Sequence, residues 1–177
     1  MTMPVAGVAR IAILGAESSG KSTLSEALAR RYDTVWVPEY LREFVEVQAR
    51  VSREEDQFGI ARMQLAREDA AARIARRYLF CDTTALMTAL YSQVYWDRVD
   101  AQLVQLAARH DYAVTLVTAP DGPWEPDGLQ RESEAVRQMV HRMLLETLAT
   151  RGIAYALLAG ELPQRVAQVE QLLAAPD

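Results

Sequence analysis

The run Gly15-Ala16-Glu17-Ser18-Ser19-Gly20-Lys21-Ser22 constrains this chain more than any other feature. It stands between an apolar run, Ile11-Ala12-Ile13-Leu14, and a helical pattern that begins Thr23-Leu24-Ser25-Glu26-Ala27-Leu28. Strand, glycine-bounded loop and helix is the context in which G-x-x-x-x-G-K-[ST] forms a phosphate-binding loop, or P-loop. The reason is local. A loop entering a helix N-terminus turns backbone N–H groups outward, and the helix dipole adds partial positive charge. Glycines at 15 and 20 let the backbone approach an anion closely. Glu17, Ser18, Ser19 and Thr23 complete the segment expected to wrap a nucleotide's phosphates. The Lys21 ammonium is expected to reach the β- and γ-phosphates, and the Ser22 hydroxyl to ligate Mg²⁺. Lys21 is also the one lysine among 19 basic residues. Arginine is a wide planar fork and lysine a compact point charge on a thin stem, so a narrow closed loop needs the second.

Composition sets the outer limits. A chain of 177 residues, half of them hydrophobic, is expected to build one domain with a full core. Charged residues at 24% exclude wholesale disorder. A net charge of −5 argues against a duplex nucleic-acid binder, and the cluster Arg73, Arg76, Arg77 reads as a solvated helix end. The single cysteine, Cys81, lies in an apolar run and reads as a buried small hydrophobe. One Cys with distant His110 and His141 assembles no zinc site. Neither a basic leader with an apolar segment nor an 18-residue apolar run occurs, so the chain reads as soluble and cytoplasmic, without a membrane partner.

Taken in order, residues 1–8 read as a leader, 9–14 as a strand, and the loop's helix runs to about residue 31. A second strand over 33–37 is ended by Pro38, which places Glu39, Tyr40 and Arg42 at its carboxyl end. In open parallel sheets ligands sit outside that end, so Glu39 and Arg42 fall within reach of a substrate. Ser52 with Glu55 reads as a capping box. It opens a helix to about residue 76 that buries Ile60, Met63, Ala66, Ala70 and Ile74. Gln57, Gln64 and Glu68 fall on a neighbouring, mostly solvated face. Residues 78–82 form an apolar strand ending in Asp82, the Walker-B pattern whose carboxylate holds a Mg²⁺ shell. Helices over 85–95 and 97–109 precede a fourth strand at 112–117. Residues 119–131 then carry three prolines in a polar, acidic stretch, the texture of a surface lid. Trp124 in it serves either as an anchor on its own domain or as an aromatic contact to a bound ring. A helix over 132–150 begins near Arg131 and Arg137, arginines able to close on a transferring phosphoryl group. A fifth strand spans 153–158, and Pro163 opens the last helix.

Five strands alternating with helices predict an α/β fold, a parallel five-stranded sheet flanked by helices. It reads as one P-loop kinase-like domain over 9–174, with the lid mobile. No Asn-Lys-x-Asp run marks a GTPase. Carboxylates after the second and third strands, with an Arg-bearing loop after the fourth, form a phosphotransferase set. One carboxylate accepts a hydroxyl proton, the other holds Mg²⁺, and the lid excludes water.

Together these segments, with Glu39-Tyr40-x-Arg42-Glu43-Phe44 and Pro123-Trp124-x-x-Asp127-Gly128-Leu129, resemble the ribosylnicotinamide kinase domain of the NadR-type NAD-biosynthesis proteins. The resemblance covers about residues 9–166. It implies ATP-dependent phosphorylation of the 5′-hydroxyl of nicotinamide riboside, with ATP and Mg²⁺ as cofactors. Lys21, Glu39, Asp82 and Arg131 are then the catalytic set; Glu39 or Asp82 is the base, with Glu39 favoured for the substrate hydroxyl and Asp82 for Mg²⁺ with Ser22. Glu39, Tyr40, Arg42, Trp124 and Asp127 become substrate contacts, and Arg137 joins the nucleotide site. Gln130 stands where the family's lid often has arginine, and Arg131 is expected to substitute for it. Family members often carry an adenylyltransferase domain. This chain begins at the kinase's first strand without a His-x-Gly-His run, and is not expected to make NAD alone. Two other readings stay open: another nucleoside or nucleotide kinase, and a nucleotide-binding regulatory ATPase module. A homo-oligomer is compatible with all three.

Overall fold

The computed structural model describes residues 7–126 and 133–175. Five strands, β1 (Ala9–Leu14), β2 (Trp36–Val37), β3 (Tyr78–Asp82), β4 (Val114–Thr118) and β5 (Ala156–Leu158), form one sheet in the order β2-β3-β1-β4-β5. Every pairing is parallel. The helices between them are α1 (Lys21–Arg31), α2 (Tyr40–Gln48), α3 (Gln57–Ala72), α4 (Ala85–Trp96), α5 (Ala101–Arg109), α6 (Glu134–Thr150) and α7 (Leu162–Ala174).

Parallel strands covered on both faces read as continuous apolar runs, and β1 and β3 do. Ile11, Ile13 and Phe80 pack with Leu24 and Leu28 of α1 and Val169 of α7 on one face. Ala12, Leu14 and Val117 pack with Leu86 and Leu90 of α4 and Val140, Leu144 and Leu148 of α6 on the other. The sheet runs to β2 on one side of β1 and to β5 on the other. The loop after β1 therefore opens at a topological switch point, where ligands of such sheets bind.

Several elements are shorter than the sequence predicts. β2 keeps two residues of the expected five, because Asp33 has a positive φ of 48° and Thr34 turns its hydroxyl onto the Tyr78 carbonyl. β5 keeps three. α5 starts at Ala101, where the Asp100 carboxylate accepts the N–H groups of Gln102 and Leu103.

The largest correction concerns α3. It begins at Gln57 and buries Gln57, Ile60, Ala61, Gln64 and Glu68, while Met63 and Ile74 are exposed. The expected Ser52–Glu55 box is replaced by Asp56, which accepts the Arg53 N–H at 2.7 Å and pairs with Arg50. Apolar periodicity failed here because three polar side chains carry their own buried partners, which removes the usual cost of burying them. Gln57 donates to the Ser52 hydroxyl and the Arg53 carbonyl. Tyr112 donates to both oxygens of Glu68 at 2.9 and 3.0 Å.

Burial pushes the Glu68 carboxyl up to about 7, against the pull of Tyr112, Arg10 and Cys81 and with a push from Asp69. A folded value above the unfolded 4.5 means that the folded state retains a proton the unfolded state releases. The stability this contributes is complete below the unfolded value and is lost as pH rises through about 7. Between pH 5 and 8 the wild type is expected to lose on the order of 2–3 kcal/mol relative to Glu68→Gln. Urea titrations of both proteins at the two pH values check this, and parallel stabilities would refute it.

Candidate active site

The phosphate loop is shaped from behind by β4. A Cβ on Gly15 would lie 2.2 Å from Thr118 Oγ1 and 2.7 Å from Ser19 Oγ, so only glycine fits where the loop crosses the end of that strand. The Ser19 hydroxyl donates to the Ala16 carbonyl at 2.5 Å and lies 2.7 Å from the Thr118 hydroxyl. Gly20 caps α1 in the left-handed region, φ 85°, which favours glycine. Lys21 folds back along the loop, its Nζ donating to the Ala16 carbonyl at 3.0 Å.

Register brings the carboxylate to the loop. β1 pairs Ile13 with Asp82 at the carboxyl end of β3. From there Asp82 Oδ2 accepts the Ser22 hydroxyl at 2.5 Å. Asp82 is 1% exposed, and its Oδ1 has no hydrogen-bond partner. Burial pushes this carboxyl up, opposed by Lys21, the Ser22 hydroxyl, Arg42 and the Glu39 backbone N–H. A buried, unmatched carboxylate oxygen beside a serine hydroxyl is a hard oxygen pair that suits Mg²⁺.

Glu39 occupies the N-cap position of α2 after β2. The Gln64 amide fixes its distance from Asp82. Gln64 accepts the Tyr40 N–H at 2.7 Å and donates to the carbonyls of Pro38 and Asp82 at 3.2 and 3.4 Å. One buried side chain therefore ties the carboxyl ends of β2 and β3 together, on the face expected to be solvated.

Lys21, Ser22, Glu39 and Arg42 line one cleft of about 220 Å³, together with Glu17, Ser18, Ser19, Gly20 and Thr23. The same cleft is lined by Gln57, Ile60, Gln64, Met87, Thr88 and Tyr91; sequence reading favoured a solvated face for Gln57 and Gln64 and placed none of the others in the site. The Tyr91 hydroxyl accepts the Glu17 N–H at 3.1 Å. Burial, with the Glu39 and Glu17 carboxylates nearby, pushes the Tyr91 phenol well up and keeps it neutral. Tyr40 lies outside the cleft lining, its ring 4.7 Å beneath the Arg67 guanidinium.

The segment after β4 leans on the loop. Trp124 donates to Glu17 Oε1 at 3.4 Å, and the Ser18 hydroxyl donates to the Glu125 carbonyl at 2.5 Å. Asp127, Gln130 and Arg131 lie outside the described residues. Arg137 departs from expectation. It is 3% exposed and donates to the carbonyls of Ser18, Gly122 and Pro123, beside Glu134, so it is a buried strut rather than a mobile lid arginine. Arg165 of α7 escaped sequence reading, since a helix arginine is ordinarily solvated. It is 6% exposed and bonds to the carbonyls of Ser19, Ala119 and Gly160 and to Asp121. A second groove of about 460 Å³ runs beside the loop between residues 121–123 and 160–165.

A family model described as an AAA domain matches residues 10–165. The chain is 28% identical over 155 residues to the trifunctional NAD biosynthesis/regulator protein NadR of Salmonella typhimurium. It is 30% identical over 156 residues to the protein of the same name from Escherichia coli. These alignments cover 84% of this chain and 37% of each relative, so the chain spans little more than a third of the length of those curated relatives. Its fold matches a crystal structure of NadR protein in complex with NR with a TM-score of 0.79 at 22% identity, covering 96% of this chain and 52% of that one. It also matches thymidylate kinase from Ehrlichia chaffeensis, with a TM-score of 0.62 at 15% identity over 95% and 100% of the two chains. The fold is thus that of the P-loop kinases.

The loop's narrowness predicts that Lys21→Arg keeps the charge and still fails. Affinity for Mg²⁺-ATP, measured by calorimetry, should fall on the order of 100-fold with an unchanged melting temperature. Near-normal binding would show that charge alone suffices at this position.

Proposed function

The chain belongs to the AAA domain family across residues 10–165, and from that premise we propose that it is an ATP- and Mg²⁺-dependent kinase that phosphorylates the 5′-hydroxyl of nicotinamide riboside to nicotinamide mononucleotide. One observation carries the reading. Lys21, Ser22 and Glu39 line a single cleft, and the buried Asp82 carboxylate joins it by accepting the Ser22 hydroxyl.

Loop N–H groups and Lys21 hold the donor's β- and γ-phosphates. The second groove, flanking Gly20 and Thr23, receives the nucleoside end of ATP. Ser22 and Asp82 would hold Mg²⁺, which neutralises charge between the phosphates. Glu39 takes the proton from the attacking hydroxyl as the new P–O bond forms and the bond to ADP breaks. Lys21 stabilises the charge spread over the transferring oxygens, and Arg42 lines the same cleft. Gln64 keeps base and metal ligand at a fixed separation.

The acceptor wall supports a cationic ring. Glu17 and Glu39 both act on Tyr91, and that neutral phenol offers an aromatic surface. Acidic groups beside an aromatic face attract a pyridinium. The likeness to NadR proteins points to the same acceptor. The likeness to thymidylate kinase and deoxyadenosine kinases favours a second reading, another nucleoside or nucleotide acceptor on the same scaffold.

A panel of acceptors separates them. With Mg²⁺-ATP, nicotinamide riboside is expected to drive ADP formation at least tenfold above background and above uridine, cytidine, thymidine and deoxyadenosine. A preference for one of the others, or for thymidine monophosphate, would replace the acceptor and keep the kinase. Hydrolysis indifferent to every acceptor would make the chain an ATPase module.

A further inference from the structure

Two buried guanidiniums, those of Arg137 and Arg165, grip the backbone carbonyls of the phosphate loop. Arg165 Nη1 bonds to the Ser19 carbonyl at 2.5 Å, while Nη2 reaches the Ala119 carbonyl at 2.9 Å and Asp121 at 2.5 Å. Its Nε donates to the Gly160 carbonyl at 2.8 Å. Arg137 Nη1 bonds to the Ser18 carbonyl at 3.2 Å, and its Nη2 to the Gly122 carbonyl at 2.8 Å. Consecutive carbonyls of the loop are therefore held by separate arginines from separate helices, α7 and α6.

The consequence follows from peptide planarity. In a trans peptide the carbonyl of one residue and the N–H of the next point in opposite directions. Holding the Ser18 carbonyl against Arg137 turns the Ser19 N–H away from it. Holding the Ser19 carbonyl against Arg165 does the same for the Gly20 N–H. We propose that Arg137 and Arg165 are positioning residues that lock these two peptides with their N–H groups facing the donor phosphates, so that the anion cradle exists before nucleotide arrives. This rests on the kinase reading and deepens it on the donor side.

Two further observations fit. A Cβ on Gly20 would lie 3.2 Å from Arg165 Nη1, so the glycine both adopts the left-handed φ and makes room for the guanidinium beneath it. Each arginine also ties the loop to the segment after β4, Arg165 through Ala119 and Asp121 and Arg137 through Gly122 and Pro123. Arginine suits the task because its rigid fork holds several oxygens at once, whereas an ammonium is a single point charge. Pre-set donors spend nothing on reorganisation when the anion binds.

The test uses the full chain with inorganic tripolyphosphate and ATP as probes. Arg165→Met and Arg165→Lys should weaken both ligands at least tenfold. The KM for ATP should rise by a similar factor, with kcat within about threefold of wild type and the acceptor KM unmoved. A purely structural role would instead lower the melting temperature and spread the loss over both substrates. Because Arg165→Met loses a buried network and can fail to fold, amide spectra of ¹⁵N-labelled wild type supply an independent check. Tripolyphosphate should shift the Ser19 and Gly20 amide protons among the largest of the chain. Folded variants that bind tripolyphosphate as wild type does, or wild-type Ser19 and Gly20 amides that ignore it, overturn the inference while leaving the kinase reading intact. A wild type that binds neither probe overturns both.

Discussion

The pairing of Ile13 with Asp82 across β1 and β3 is the constraint on which the rest of this molecule depends. One strand delivers the phosphate loop and the other delivers the carboxylate, and the register decides that they meet. The Ser22 hydroxyl then closes onto Asp82. Because side chains alternate faces with a period of two, a one-residue slip would turn Asp82 toward the other layer. Burial of both strands on both faces opposes that slip, since it would misplace Phe80 and Cys81 as well. The apolar core thus acts on function through alignment.

Buried polar side chains do the finer positioning. Gln64 sets the distance between the carboxyl ends of β2 and β3, and Arg137 and Arg165 hold the loop's carbonyls from behind. Each carries several hydrogen bonds against the cost of its burial, although Arg137 Nε is buried without a partner. All three lie at the carboxyl end of the sheet, where the loop, the cleft and the segment after β4 meet. Glu68 is the polar counterpart deeper in the α3 layer, where Tyr112 and Arg10 answer it.

How much of this was legible in the sequence follows from the same division. The loop, β1 and β3 were legible because an apolar run, a glycine-bounded turn and an acidic strand end are local signals. The parallel order followed from strand and helix alternation. The α3 face was misread because periodicity counts apolar residues, while this helix buries Gln57 on local partners and turns Gln64 and Glu68 inward to partners far away in sequence. Arg165 was invisible for a related reason: apart from Gly160, its partners lie 146, 46 and 44 residues away. Arg137 was noticed for its charge, yet its donors serve carbonyls. A sequence reports that a cation is present and not which oxygens it will meet.

Under the proposed reaction the two carboxylates do different work, and that division is open to direct measurement. Initial rates of phosphoryl transfer to nicotinamide riboside are to be followed across a Mg²⁺ titration in wild type, Glu39→Gln and Asp82→Asn. Glu39→Gln should lower kcat on the order of 10²- to 10⁴-fold and leave the Mg²⁺ requirement unmoved, as expected for loss of a general base. Asp82→Asn should raise the Mg²⁺ concentration for half-maximal rate at least tenfold. A normal kcat in Glu39→Gln, or a Mg²⁺ dependence that shifts with Glu39 and not with Asp82, would contradict the arrangement of the site.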